Sequence, residues 1–549
     1  MMTMKRRFYT ASIFFLSPFI TMAQKQGNDT LPNRTVVVTS AFKPSLKTTS
    51  KINFSAATPL PDSSKPVLRY DIPEQNLVFA YQSPALKPLA ANIDSLVHWV
   101  NKNYIKAGYG NFTTPYLAAG ATFGDGENAV VNVHGNYTSS KGQMPFQQFS
   151  KTFVEGIGIF STPSGNEWTA NLFYKNDNQY QYGYLPDTLL FTKDELKQNF
   201  TTFGGKIGLR NKKENNFGIN YNPSLAIDIF SDNRNGRESN AILEAPVSKD
   251  ITKIFDFKVN FKADITSYRT DTVSIDNNIF SIAPALGFNT PNVKITAGFS
   301  PTWDNSAFVL LPNFTADIKI NEEKFILQAG WIGYYNKTKY ESLAAFNPWI
   351  SQPTSLVNTK VREQYAGFKG SAGSHFTYNA RVSYLLMDNQ PLFVNDTATG
   401  RTFNIVNETG MKNIRVHGEL GYTVQEKFSF MAGATFNQYS GLILNKEAYG
   451  LLPLELNAAL RWQVIKDLWV KSDLFFWDGT QYLTKTNASL KQSAAADVNA
   501  GVEFAIMPQL NLWLQFNNIF NNKYQRWNQY PVLGTNVLAG IVYSFDQKK

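Results

Sequence analysis

The 549-residue chain contains no cysteine, which excludes disulfide scaffolds, thiol catalysis and cysteine-ligated zinc. Charged residues are scarce at 17%, against about 25% in an ordinary globular protein. Histidine is rarer still: His98, His134, His375 and His417 are the whole set. No G-x-S-x-G elbow, EF-hand loop or phosphate-binding glycine loop occurs, so nothing points to an enzyme, a metal or a cofactor. Beyond the N-terminal segment no run of about 18 apolar residues exists that would cross a bilayer as a helix. The net charge of +10 is scattered and answered by acids along most of the chain. With no basic arm or recognisable module, nucleic acid is not an expected partner.

Aromatic residues, by contrast, are abundant, with 42 Phe, 26 Tyr and 10 Trp making up 14% of the chain. A protein whose outer surface faces lipid and is edged by aromatic rings has this profile. A polysaccharide-binding β protein shares it, so composition leaves both open.

The chain divides into three parts. Lys5, Arg6 and Arg7 precede an apolar stretch from Phe8 to Ile20, and Thr21, Met22 and Ala23 supply small residues for cleavage. A signal peptide is expected over 1–23, its apolar run being too short for a span of ~30 Å. Residues 24–100 carry Pro32, Pro44, Pro59, Pro61, Pro66, Pro73, Pro84 and Pro88 and keep no helical or strand period. Proline fixes φ and removes a donor, so this part is expected to run extended, either as a periplasmic tail or as a reduced plug in a barrel mouth. Residues 101–549 are the third part.

From Tyr104 onward the apolar period is two. Phe255, Phe257, Val259, Phe261, Ala263 and Ile265 alternate with Asp256, Lys258, Asn260, Lys262, Asp264 and Thr266. Ile414, Val416, Leu420, Tyr422 and Val424 do the same, as do Leu454, Leu456, Ala458, Leu460, Trp462 and Val464. Side chains alternate faces on a strand, so each run has one greasy and one polar side. The runs are about twice the usual five or six residues and match the ~9–11 needed to cross a bilayer at a tilt. The expected fold is all-β: a transmembrane antiparallel barrel of about 22 strands, within a range of 18–22. Its connections alternate. Short breaks fall near 124–127, 162–165, 211–214, 249–250, 290–292, 321–323, 372–374, 425–427, 466–467 and 508–509. Longer ones fall at 141–148, 183–196, 268–276, 337–357, 388–411, 440–449, 478–490 and 521–534, with three short exceptions near Thr113, Asn233 and Asp304. Short turns inside and long loops outside, with both ends of the barrel in the periplasm, is the bacterial pattern. His134 and His417 fall on polar strand faces, as do the acid–lysine pairs around Asp256 and Asp264; all are expected in the lumen.

Three fragments carry a resemblance. Gly540, Tyr543 and Phe545 in the last strand, 535–545, resemble the assembly signal of outer-membrane barrels, which the barrel-assembly machinery reads by strand pairing. Four residues follow it, a departure from members that end at the aromatic. Upstream, Asn517, Asn518, Ile519, Phe520, Asn521, Asn522, Lys523 and Tyr524, then Tyr530, Pro531 and Gly534, resemble the C-terminal signature of TonB-dependent receptors. Its asparagines suit a strand end with exposed backbone, and Tyr524, Trp527 and Tyr530 suit an outer aromatic girdle. Thr35, Val36, Val37, Val38, Thr39 and Ser40 resemble the TonB box. β-Branched residues favour the extended form that edge pairing needs.

The resemblance implies a barrel of the cell outer membrane that imports a nutrient or other ligand, with TonB as partner and lipid around it. It departs in one respect: the plug of that family has no recognisable counterpart between Ser40 and the first strand. A barrel this wide and empty would leak, so occlusion by 41–100 or by the longer loops is expected. The alternative is a passive pore or structural barrel working with a lipoprotein or periplasmic partner, without energy coupling. Loops 337–357 and 388–411 are the candidate ligand loops, with Tyr340, Phe346, Trp349 and Phe393 as aromatic platforms or, equally, as interfacial anchors.

Overall fold

The computed structural model describes residues 102–546 apart from 127, 214 and 426. The signal segment, residues 24–100 with Thr35 to Thr39, and His98 therefore lie outside the described residues.

The described chain is a closed antiparallel barrel. The first strand, Lys102–Gly110, pairs with the last, Asn536–Asp546, from Lys102 opposite Asp546 to Gly110 opposite Leu538. The main sheet contains 23 hydrogen-bonded segments. Two of them, Ile219–Tyr221 and Ser224–Asp232, both pair with Arg237–Asp250 and are halves of one crossing interrupted at Asn222 and Pro223. Proline cannot donate to a ladder, which accounts for the break. The barrel thus has 22 crossings, as the sequence predicts.

The expected alternation of faces is present. Phe257, Phe261 and Ile265 point outward and are exposed, while Asp256 and Asp264 point inward and are buried. Leu420, Tyr422 and Trp462 share the outer surface. The order of connections is largely as predicted, with boundaries shifted by a few residues; 268–276, expected to be long, is the short turn 270–273, and the short break expected at 211–214 is the longer connection 212–218. At the end where the barrel's termini lie, turns such as 290–292, 466–467 and 508–509 are two or three residues long. At the opposite end the connections are long and structured. Loop 337–358 carries the helix Tyr340–Phe346. Loop 389–410 folds into the hairpin Gln390–Asn395 with Phe403–Glu408, and loop 478–494 into Gln481–Leu483 with Ser489–Lys491. Loop 518–535 pairs Gln525–Trp527 with Tyr530–Pro531. The short exceptions also hold: 305–306 is a two-residue turn with Asn305 at φ 57°, a conformation asparagine tolerates.

Many strands exceed the crossing length; Ser274–Asn289 has 16 residues. The excess lies at the loop end, where the strands form the wall of a structured cap.

Candidate functional site

The cap begins with loop 337–358. The helix Tyr340–Phe346 starts with amides that have no partner inside the helix, and the barrel wall supplies one. Glu238 accepts from the Tyr340 N–H at 2.6 Å and the Glu341 N–H at 3.1 Å. A carboxylate suits both the unpaired amides and the helix dipole. Tyr340 then inserts among Phe200, Phe230 and Tyr268, with ring centroids 6.1, 5.1 and 5.4 Å away, and donates to Asp232 Oδ2 at 2.9 Å. Those three aromatics are inward-facing residues of three different wall strands, Lys197–Asn211, Ser224–Asp232 and Phe255–Arg269.

Charged and amide contacts fix the loop's two ends. Lys337 Nζ lies 3.7 Å from Asp264 and donates to the Asp264 carbonyl at 3.0 Å. Lys339 lies 3.6 Å from Asp228. Asn358 and Asn277 exchange amide hydrogen bonds at 2.6 and 2.8 Å, and Gln352 donates to Asp232 and to the Arg234 carbonyl. The loop's parent strands, Phe325–Asn336 and Thr359–Ala372, stand five or more positions round the ring from most of the strands it touches. It therefore reaches across the mouth.

Tyr530 is where the other loops meet it. Its ring stacks on Trp349 at 3.9 Å and meets Tyr182 edge-on at 5.0 Å. Its hydroxyl donates to the Arg401 carbonyl at 2.5 Å. Phe403, Phe393 and Trp527 complete the same buried cluster. Phe403 also exchanges backbone hydrogen bonds with Trp349 and Ser351. From across the closure seam, Gln147 and Tyr182 both donate to the Pro531 carbonyl at 3.0 Å. Burial pushes the Tyr182, Tyr340 and Tyr530 phenols up, so they remain neutral donors.

The remaining loops close the circuit. Glu408, fully buried, accepts from the N–H groups of Ile443, Leu444 and Asn445 at 2.6, 2.9 and 2.8 Å and from the Asn445 side chain at 2.7 Å. Burial alone would raise its carboxyl; these donors outweigh that and hold it below the usual value. Tyr449 reaches Ser489 at 2.6 Å, and Asn395 exchanges hydrogen bonds with the Leu483 backbone. Every long loop at this end thus touches another, and their buried side chains form a core of their own.

Below the cap the inner wall is polar. His134 faces Glu155 at 3.2 Å, and His417 lies 2.8 Å from Thr435 and 3.1 Å from Glu419. Lys258 pairs with Asp256, and Arg381 with Glu363. His375 sits in a turn at the opposite end, its Nδ1 2.8 Å from the Thr423 carbonyl. Among the described residues no group of three or more His, Asp or Glu could hold a metal ion. The wall differs at the closure seam, where Trp513, Gly540, Gly108 and Tyr116 follow one another across four strands in register. The Trp513 indole covers Gly108: a Cβ there would fall 2.2 Å from it. It meets Tyr116 edge-on at 5.6 Å, and Lys106 Nζ sits 4.3 Å from its ring.

Tyr340, Trp349 and Phe393 are buried in the cap core and Phe346 packs against it. The structure thus brings the four together, three of them buried and Phe346 half-buried. Tyr524, Trp527 and Tyr530 are also buried there instead of forming an outer girdle, because the segment that carries them turns inward over the mouth. The asparagines behave as predicted: Asn518 donates to the Asn522 and Leu533 carbonyls, and Asn521 accepts from the Thr535 N–H. Tyr543 and Phe545 lie on the lipid face. The wall anchors Glu238 and Asp232 and the clamp Glu408 had no signal in the sequence, since each acts on a partner distant along the chain or in an irregular loop; Asp264 was legible as an inward acid, but its partner is the loop residue Lys337.

No protein-family description and no curated protein sequence matches the chain. Solved structures do. The FrpB iron transporter from Neisseria meningitidis superposes with a TM-score of 0.64 at 11% identity, covering 82% of each chain. The ferripyoverdine receptor of the outer membrane of Pseudomonas aeruginosa gives 0.60 at 11%, covering 82% of this chain and 72% of that one. The siderophore receptor PirA from Acinetobacter baumannii gives 0.61 at 8%, covering 81% and 80%. At such identities the likeness is one of fold: the chain shares their barrel architecture, here with 22 strands.

Proposed function

We propose that this chain is an outer-membrane barrel that takes up a ligand through a gated lumen, the gate being its loop-built cap. The observation that carries the reading is the packed cap across the mouth of a receptor-type barrel, with Tyr530 at its centre. In this reading the cap opens toward the cell exterior, and Tyr340, Phe346, Trp349 and Phe393 become the ligand-contacting surface once it does. Residues 35–39 pair with TonB in the periplasm, and the protein performs no catalysis. The likeness to iron and siderophore receptors supports uptake as the class of activity; at 8–11% identity it assigns no ligand.

A second reading, a structural barrel held with a lipoprotein or periplasmic partner, is favoured by the same cap, which is anchored like a permanent fold. A tether separates the two. Arg234 and Gln352 touch where Gln352 Nε2 meets the Arg234 carbonyl at 2.9 Å, and the chain has no cysteine of its own. R234C/Q352C bridged by a short thiol reagent is expected to abolish uptake and to recover on reduction. Deletion of residues 35–40 is expected to abolish uptake as well. Uptake that survives both would overturn the gated, energy-coupled reading, and a chain that supports no uptake even without the tether would leave the structural barrel as the answer.

A further inference from the structure

Five neighbouring strands, Phe325–Asn336, Thr359–Ala372, Phe376–Asp388, Met411–Val424 and Phe428–Ser440, change chemistry toward the loop end. On their outer face the register defines successive rows. Ala329, Ala366, Val382, Val416 and Phe436 form an apolar row. Next come Trp331, Gln364, Tyr384, Ile414 and Gln438, the aromatic and amide mixture of a membrane interface. Above that stand Gly333, Arg362, Leu386, Lys412 and Ser440, and above them Lys360 faces Asp388 directly across the strands.

On the inner face the change runs the other way. Lower down the wall carries Asn379, Arg381 and His417. At the loop end it carries Val361, Met387 and Met411, buried with Ala448 of loop 441–453. The wall therefore inverts its polarity at the level of Trp331 and Tyr384, and the membrane boundary lies there.

We propose that Arg362, Lys412 and Lys360 form a docking site on the barrel's outer wall for the phosphate-bearing headgroup of an outer-leaflet lipid. This rests on the reading above that the capped end faces the cell exterior. Two residues along a tilted strand rise by about 5 Å, so Arg362 and Lys412 stand one step above the aromatic row, at headgroup height. Arg362 and Lys412 lie two strands apart, about 10 Å at ~4.8 Å per strand, and the outward Leu386 between them keeps an apolar floor. Asp388 lies 2.9 Å from Lys360 and 3.9 Å from Arg362, holding the two together. Three cations stand against that one carboxylate, and the Arg362 side chain is 47% exposed. Guanidinium and ammonium groups at this height meet phosphate with their stems on apolar wall.

Comparable outer positions on other strands include uncharged ones, as at Thr152, Asn176 and Thr201, and apolar ones, as at Phe280, Trp303 and Phe308. A second cationic pair, Arg237 opposite Arg269, is answered by Asp276 at 2.9 Å from Arg269, and serves as the control.

The test is the thermal midpoint of the full chain in neutral detergent, with a bis-phosphorylated glycolipid of the lipid A class, its dephosphorylated form, or inorganic phosphate. The phosphorylated lipid is expected to raise the midpoint and the other two to leave it unchanged. K360Q/R362Q/K412Q is expected to lose the rise, and R237Q/R269Q to keep it. Should the triple variant not reach the folded form, R362Q and K412Q singly are each expected to reduce the rise by at least half. An equal rise in the cation variants, with the dephosphorylated lipid, or with inorganic phosphate overturns the proposal. Uptake is a separate readout, so the failure of either leaves the other standing.

Discussion

Gly540 and Tyr530 were both legible in the sequence as parts of recognised motifs, and the structure gives each a mechanical reason. A Cβ on Gly540 would meet the Ala107 carbonyl at 1.9 Å on the neighbouring first strand. Backbone cannot give way as a flexible side chain does, so G540V is expected to block closure. Heat-modifiable migration on gels checks this: the parent shows a compact unheated form and the variant shows little. Tyr530 is fully enclosed by Trp349, Tyr182 and Phe403. Y530A removes a large buried ring, a change that costs ~3–5 kcal/mol in a well-packed core. Because the loss falls in the cap, proteolysis of loops 337–358 and 518–535 is expected to accelerate while the barrel stays heat-resistant. What the sequence left unread was direction, since a tyrosine in an outer loop looks alike whether it faces lipid, ligand or a neighbouring loop.

Strands and loops differ in how far local sequence determines them. The strands were readable because a two-faced wall between lipid and water imposes period two on every crossing; the break at Asn222 and Pro223 was not among those expected. The cap was not, because its contacts join distant residues. Glu238 binds amides 102 and 103 residues further along, and no spacing rule links them. E238A removes two charge-assisted hydrogen bonds, worth about 1.5–3 kcal/mol each where a buried partner is lost. Hydrogen exchange at Tyr340 and Glu341 is expected to rise sharply while exchange in the wall strands stays the same. The Glu408 clamp gives a pH dependence with a definite sign. Its carboxyl titrates below the ordinary glutamate value of ~4.3, so the ionised form is the one bound. Its stabilisation is complete above the unfolded value and is lost as pH falls through the folded one. Amides of Ile443, Leu444 and Asn445 are expected to lose protection on acidification below about pH 4, and E408Q to lose it at every pH.

For the molecule as a whole, the alternation of short and long connections put the strand number near 22, within a range of 18–22, and both termini of the barrel at the short-turn end. The need to occlude so wide a barrel was legible too; of the two expectations, the packing of Trp349 on Tyr530 shows the loops meeting over the mouth, and residues 41–100 lie outside the described residues. The central claim is that this cap closes the barrel, and conductance across a planar bilayer tests it most directly. The full chain and a chain lacking residues 24–100 are both predicted to conduct almost nothing, and removal of 340–356 from the shorter chain to open a large, steady conductance. A steady conductance through the shorter chain with its loops intact would contradict the account.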